Sequence, residues 1–181
     1  MKKVLILSGS PRKGGNSDIL CDEFLKGALD AGNQVEKLFV AEKKIAPCLG
    51  CYYCEKHGGR CALNDGMGSI LQKIIDCDVL VLSSPVYFYS ISAQLKAVID
   101  RTVARWTEIG NKDLFYIMTA AEEEEDTMDG TLACFRGFAK CIDGYEEKGV
   151  LYGKGVHEKG EVKNRSELMT IAYEMGNSIR E

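Results

Sequence analysis

Short apolar runs alternate along this chain with segments whose apolar residues recur at helical spacing, and that rhythm admits few folds. Residues 3–7 read as a continuous apolar run, as expected of a strand covered on both faces. Residues 18–31 then place Leu20, Phe24, Ala28 and Leu29 on one helical side, and residues 34–40 alternate like a strand nearer a sheet edge. Beyond a cysteine-rich loop, Met67, Ile70, Leu71, Ile74 and Ile75 predict a helix, and residues 78–84 the most apolar strand. Leu95, Val98, Ile99, Thr102 and Trp106 predict the next helix, and residues 114–119 the next strand. Leu132, Phe135, Ala139 and Ile142 predict another helix, residues 145–152 a strand, and Leu168, Ile171, Ala172, Met175 and Ile179 a last helix. Five strands alternating with five helices select a parallel, doubly wound α/β sheet, because right-handed crossovers put helices on both faces. The expected fold is a flavodoxin-like three-layer sandwich with strand order 2-1-3-4-5. Its ligand site would lie beyond the carboxyl ends of the strands.

Composition narrows the class. The 181 residues suit a single domain over 1–181, and no stretch rich in Pro, Gly or Ser divides them. An apolar content of 45% excludes disorder, and 19 glycines without a period exclude a collagenous repeat. No apolar run approaches the ~18–20 residues of a membrane span. Met1-Lys2-Lys3 resembles the start of a signal peptide, but the apolar stretch after it is too short. A soluble cytoplasmic protein is expected, with no membrane partner. The 27 acids against 23 bases argue against nucleic-acid binding. Eight cysteines in a reducing compartment point to metal or redox chemistry.

The turn after the first strand, Gly9-Ser10-Pro11-Arg12-Lys13-Gly14-Gly15-Asn16-Ser17, is built for a phosphate. Its glycines let the backbone turn tightly, Ser10, Asn16 and Ser17 add short donors, Arg12 or Lys13 adds charge, and a helix N-terminus follows. It lacks the Gly-Lys-Ser/Thr ending of a P-loop and the Gly-x-Gly-x-x-Gly dinucleotide fingerprint. A monophosphate such as that of FMN fits best. After the third strand, Pro85 fixes a turn that leaves Val86, Tyr87, Phe88 and Tyr89 beside it, with aromatic area and backbone amides suited to a flat ring. Thr119-Ala120-Ala121 follows strand four as a third loop. The acidic residues 122–126 read as a solvated loop before a helix N-terminus.

Two of these stretches resemble the NADPH-dependent FMN reductase family. Leu7-Ser8-Gly9-Ser10-Pro11-Arg12 with Gly15-Asn16-Ser17 is similar to its phosphate loop. Ser84-Pro85-Val86-Tyr87-Phe88 with Ala93-Gln94-Leu95-Lys96 and Asp100-Arg101 is similar to its flavin-ring loop and the helix behind it. The resemblance implies FMN held by Ser10, Arg12, Gly15, Asn16, Ser17, Pro85, Val86, Tyr87, Phe88 and Thr119. It implies an NAD(P)H-dependent oxidoreductase in which nicotinamide gives hydride to the flavin, which then reduces a small-molecule acceptor. No catalytic side chain is demanded, since the cofactor carries the chemistry. A homodimer with the flavin near the interface is expected.

Cys48, Cys51 and Cys54 at successive C-x-x-C spacing, with Cys61, place four cysteines within fourteen residues. Four thiolates suit an iron–sulfur cluster or tetrahedral zinc; free or labile redox thiols are the remaining reading. The spacing resembles the iron–sulfur flavoprotein family, which implies a [4Fe–4S] cluster near FMN, although no proline follows Cys61. On that resemblance the alternative function is an electron carrier between proteins, with a ferredoxin-type electron donor. The loop leaves strand two on the flavin side, so exchange with a flavin, including the partner subunit's, is expected. His57 reads as a solvated loop residue, and Cys21, Cys77, Cys134 and Cys141 as small buried hydrophobes in helices.

Overall fold

The computed structural model describes residues 1–180; Glu181, the last residue of the expected domain, lies outside the described residues, as does the side chain of Glu125. The elements run β1 (Lys3–Ser8), α1 (Asn16–Asp30), β2 (Gln34–Phe39), α2 (Tyr53–Lys56), α3 (Met67–Asp76), β3 (Val79–Pro85), α4 (Ala93–Arg101), β4 (Asp113–Thr119), α5 (Asp129–Ala139), β5 (Glu146–Gly153) and α6 (Ser166–Asn177). All strands pair in parallel, in the order β2-β1-β3-β4-β5. The flavodoxin-like order read from the alternation is the one the chain adopts.

The middles of the central strands are continuous apolar runs because each face meets a separate core. Leu5 and Leu7 of β1, Leu80 and Leu82 of β3, and Leu114, Tyr116 and Met118 of β4 pack with α3, α4 and α5. The alternate residues Val4, Ile6, Val79, Val81, Phe115 and Ile117 pack with α1 and α6. Adjacent side chains point to opposite faces, so a run of hydrophobes satisfies both layers. The edge strands β2 and β5 carry Glu36, Lys37, Glu146, Glu147 and Lys148, which discourage further strand pairing. Helices α1 and α6 touch backbone to backbone: a Cβ on Gly27 would lie 2.0 Å from the Tyr173 carbonyl, and one on Gly176 would lie 2.0 Å from that of Phe24.

Three local expectations change. Trp106 is not on α4, which ends at Arg101 and gives way to tight 3-10 turns at Thr102–Ala104 and Trp106–Glu108. Thr102 Oγ1 donates back to the Ile99 carbonyl at 2.7 Å, where the helix tightens and stops. Cys21 and Cys77 are buried, Cys77 just past the end of α3, but Cys134 is half-buried and Cys141 exposed, because α5 ends before the latter. The one-turn helix α2 inside the cysteine loop has no apolar periodicity to announce it.

Candidate functional site

At the carboxyl end of the sheet, the loops after β1 and β3 are fastened together. The Gly9 amide donates to the Ser83 carbonyl at 2.8 Å, and the Ser92 hydroxyl donates to the Gly9 carbonyl at 2.6 Å. Ser92 also caps α4 by accepting the Leu95 amide, while the Ser84 hydroxyl accepts the Ser92 amide and donates to the Pro85 carbonyl. Only a glycine fits at position 9, where a Cβ would stand 2.6 Å from the Ser83 carbonyl and 2.9 Å from Leu95.

From below, Asp18 braces the first loop. Its carboxylate, 3% exposed, accepts the Gly14 amide at 2.9 Å, the Ser8 hydroxyl at 2.8 Å and Lys37 Nζ at 3.0 Å. Burial opposes its charge, but the Gly14 amide, Lys37 and Ser8 together outweigh that and hold the carboxyl below its ordinary range. Lys37 also reaches Asp22 at 2.5 Å; burial works against its charge as well, and the two carboxylates override it and push its pKa up. Helical periodicity gave no sign of this brace, because Asp18 and Lys37 lie on different elements.

Ser10, Arg12, Gly15, Asn16, Ser17, Pro85, Val86, Tyr87, Thr119, Ala120 and Ala121 all line one cavity of about 230 Å³. The Ser17 hydroxyl is buried at its wall without a hydrogen-bond partner among the described residues. Beside it, the amides of Asn16, Ser17 and Asp18 open α1 and have no helical carbonyl to bond. An orphaned hydroxyl, first-turn amides and an exposed Arg12 form a donor set that suits an anion.

Several side chains do other work than expected. The single O–H of Ser10 is spent on the Arg12 carbonyl at 3.0 Å, so it curls the loop. The Asn16 side chain donates to the carbonyls of Val156 and Glu158 and accepts the Val162 amide, locking a distant loop against the cavity. That loop adds Val156, His157 and Lys159 to the lining, which the sequence reading missed. The Val86 and Tyr87 amides are taken by the carbonyls of Thr119 and Ser90, so they are not free for a ring's polar edge. Ala121, by contrast, lines the cavity with an amide that has no partner among the described residues. Phe88 is absent from the lining; it stands fully exposed at φ 48° on the tip of its turn. Glu122, Glu123 and Glu124 are exposed ahead of α5, but Glu122 also lines this cavity and Glu123 pairs with Arg165, so the acidic run is not wholly a solvated loop.

Cys48, Cys51, Cys54 and Cys61 line a second cavity of about 230 Å³ with Leu49, Arg101, Val103 and Ala104. It shares no lining residue with the first. The loop does leave β2 at the carboxyl end of the sheet, but its cysteines lie against the far end of α4 and the turn after it. Within one chain the cysteine loop and the flavin loops therefore line separate cavities. Cys48 and Cys51 are exposed, Cys54 and Cys61 half-buried. Among the described residues no three acidic, histidine or cysteine side chains are close enough to hold one metal ion. Zn–S bonds of about 2.3 Å would require the sulfurs to be drawn together, whereas a cluster, with several irons and sulfides between its ligands, spans a wider cage. His57 is exposed, stacked on Tyr53 with ring centroids 3.6 Å apart, and lines neither cavity.

Residues 2–125 match the family of NADPH-dependent FMN reductases. An iron–sulfur flavoprotein of Methanocaldococcus jannaschii is 42% identical over 100 residues, covering 55% of this chain and 51% of that protein. A Bacillus subtilis protein named as an NAD(P)H-dependent FMN-containing oxidoreductase is 30% identical over 99 residues, covering 55% and 50%. This chain spans about half the length of the curated relatives it matches. Among solved structures, an NAD(P)H:quinone oxidoreductase from Methanothermobacter marburgensis superposes with a TM-score of 0.73 at 18% identity, over 99% of this chain and 96% of that one. That likeness is one of fold. No helix among the described residues is long and apolar enough to cross a membrane.

Proposed function

Because the chain belongs to the NADPH-dependent FMN reductase family, we propose that residues 1–181 form one FMN-binding domain of an NAD(P)H-dependent oxidoreductase acting on a small acceptor. The observation that carries this reading is the buried, unpartnered Ser17 hydroxyl at the wall of a cavity shared by three carboxyl-end loops. Bound FMN would supply hydride acceptance from a nicotinamide and electron delivery to a second acceptor. The chain's own part is to bind and orient. The Ser17 hydroxyl, the first-turn amides of α1, Arg12 and Lys159 take the phosphate. Pro85, Val86, Tyr87 and Thr119 flank the ring, and the Ala121 amide offers a donor to its polar edge. Ser10, Gly15 and Asn16 shape the loop rather than donate to the phosphate, and Phe88 acts outside the pocket of its own subunit.

A cavity of about 230 Å³ is smaller than the ~300–1,000 Å³ of ordinary ligand sites. A second copy of the chain would cover the rest of the ring, and the fully exposed Phe88 is a suitable contact. The four cysteines suit a [4Fe–4S] cluster, held by Cys48, Cys51, Cys54 and Cys61 and supplying one-electron transfer. With Cys48 and Cys51 at the surface, such a centre is open to a ferredoxin-type protein, which keeps the electron-carrier reading alongside the reductase one.

The deciding experiment is anaerobic purification, followed by an absorbance spectrum, iron and zinc analysis, and steady-state NAD(P)H oxidation with a quinone. FMN binding with turnover supports the reductase. FMN binding without turnover but with rapid reduction by ferredoxin supports the carrier. Failure to bind FMN in titration removes both.

A further inference from the structure

The guanidinium of Arg101 is 2% exposed, yet its hydrogen bonding is incomplete. Nη1 donates to the Ala46 carbonyl at 2.8 Å and to Asp65 Oδ2 at 2.9 Å, and Nη2 donates to Asp65 Oδ1 at 3.0 Å. Asp65 in turn accepts the amides of Ala46 and Met67, both at 3.1 Å. Ala46 precedes the first loop cysteine and Asp65 follows the last, so this fork closes the neck of the cysteine loop. The Nε–H remains buried with no acceptor among the described residues. Arg101 lines the cysteine cavity together with Cys61.

We propose that Arg101 is a positioning residue for the cluster, fixing the loop through Asp65 while lending its spare Nε–H and its positive charge to the Cys61 sulfur. The proposal rests on the cluster reading above. Its physical basis is simple. One electron from an external donor makes a four-thiolate centre one unit more negative, with no bond formed or broken and no proton moved. A nearby cation and an N–H aimed at sulfur stabilise the more negative state, so they raise the reduction potential. A loop clamp alone would have no such sign.

The test uses anaerobically reconstituted protein, read by iron per chain and by a dye-mediated redox titration followed by EPR. In Arg101→Gln the equilibrium constant for reduction should fall about tenfold, a potential lower by about 59 mV for one electron. Arg101→Lys keeps the charge and should fall less. Asp65→Asn removes a negative charge beside the guanidinium and should move the potential upward. Opposite shifts from the two sides of one ion pair support the proposal. Unchanged potentials, or shifts of the same sign, overturn it. If Arg101→Gln holds no cluster, Arg101→Lys and Asp65→Asn carry the same comparison of sign. Wild-type protein that takes up no iron overturns the cluster reading and this proposal with it, whereas a loaded wild type with unshifted variants overturns this proposal alone.

Discussion

Ser92 Oγ donates to the Gly9 carbonyl at 2.6 Å, so the residue that caps α4 is also the one that ties the β3 loop to the β1 loop. Two functions meet in one hydroxyl. Ser92→Ala should therefore destabilise the fold by about 1–2 kcal/mol, the worth of a cap or a buried hydrogen bond. It should also weaken FMN, because the two loops share the binding cavity. Gly9→Ala should cost more, since its methyl group would meet backbone rather than a flexible side chain. Urea unfolding compared with flavin titration checks both; a stability loss with unaltered flavin affinity would detach the tie from the site.

The phosphate assignment separates by ligand. Each charge-assisted bond is worth about 1.5–3 kcal/mol, so Arg12→Ala with Ser17→Ala should weaken FMN a hundredfold or more. Lys159→Ala should act in the same direction. Riboflavin, which lacks the phosphate, should bind all these variants as it binds wild type. Equal losses for both ligands would show a damaged pocket instead of a lost phosphate contact.

How far the sequence reached can be judged residue by residue. The strand order followed from alternation because both faces of β1, β3 and β4 are buried, which leaves an unmistakable apolar signature. That Arg12 and Ser17 would stand at one cavity was legible because a Gly-rich strand-to-helix turn gathers its short side chains at the carboxyl end of the sheet. Lys159 was not, since its loop reaches the site through bonds between distant residues, the Asn16 side chain to the carbonyls of Val156 and Glu158 and the Val156 amide to the Ala120 carbonyl among them. Asn16 itself was misread for the same reason: a short polar side chain in a loop can face the ligand or another loop, and composition does not distinguish them. The placement of the cysteines depended on the Arg101–Asp65 fork, a pairing across 36 residues that no local pattern encodes.

The cysteines should divide into classes. Burial pushes the thiols of Cys21 and Cys77 up to about 12, so neither should react with a thiol reagent in the native protein. Exposed Cys48, Cys51 and Cys141 should react readily in metal-free protein, and iron loading should protect the first two but not Cys141. Cys51→Ser should abolish bound iron while leaving FMN affinity nearly unchanged, because the two cavities share no residue. Labelling followed by mass spectrometry reads the pattern; protection of Cys141 on iron loading would point to a different ligand set.

The exposed aromatics make a prediction about assembly. Phe88 is fully exposed, and Trp106 and Val103 are about half exposed beside an apolar cleft of about 430 Å³ between α4 and α5. If a second copy covers these faces, sedimentation should show a dimer, and Trp106→Glu should weaken it by about 2 kcal/mol or more, as for an aromatic interface anchor. Phe88→Asp should lower FMN affinity only under conditions where wild type is dimeric. A monomer at all concentrations would leave the flavin cavity to be completed by something else.

The brace under the phosphate loop predicts how stability varies with pH. Asp18 is held below its ordinary pKa, so its ionised form contributes fully above the unfolded value, about 3.9, and the contribution is lost as pH falls through the folded value. Lys37 is raised, so its contribution is present below its unfolded value, about 10.4, and is lost as pH rises through the folded one. Asp18→Asn should therefore flatten the acid limb of the stability curve, and Lys37→Gln the alkaline limb. At neutral pH Asp18→Asn should cost about 1.5–3 kcal/mol, since Gly14 and Lys37 lose a charged partner in a buried site. It should also loosen the loop that Gly14 helps to curl, and so weaken FMN more than riboflavin. Urea midpoints measured from the acid to the alkaline range, on wild type and both variants, provide the check; parallel curves across the whole range would mean that the pair carries no net stability.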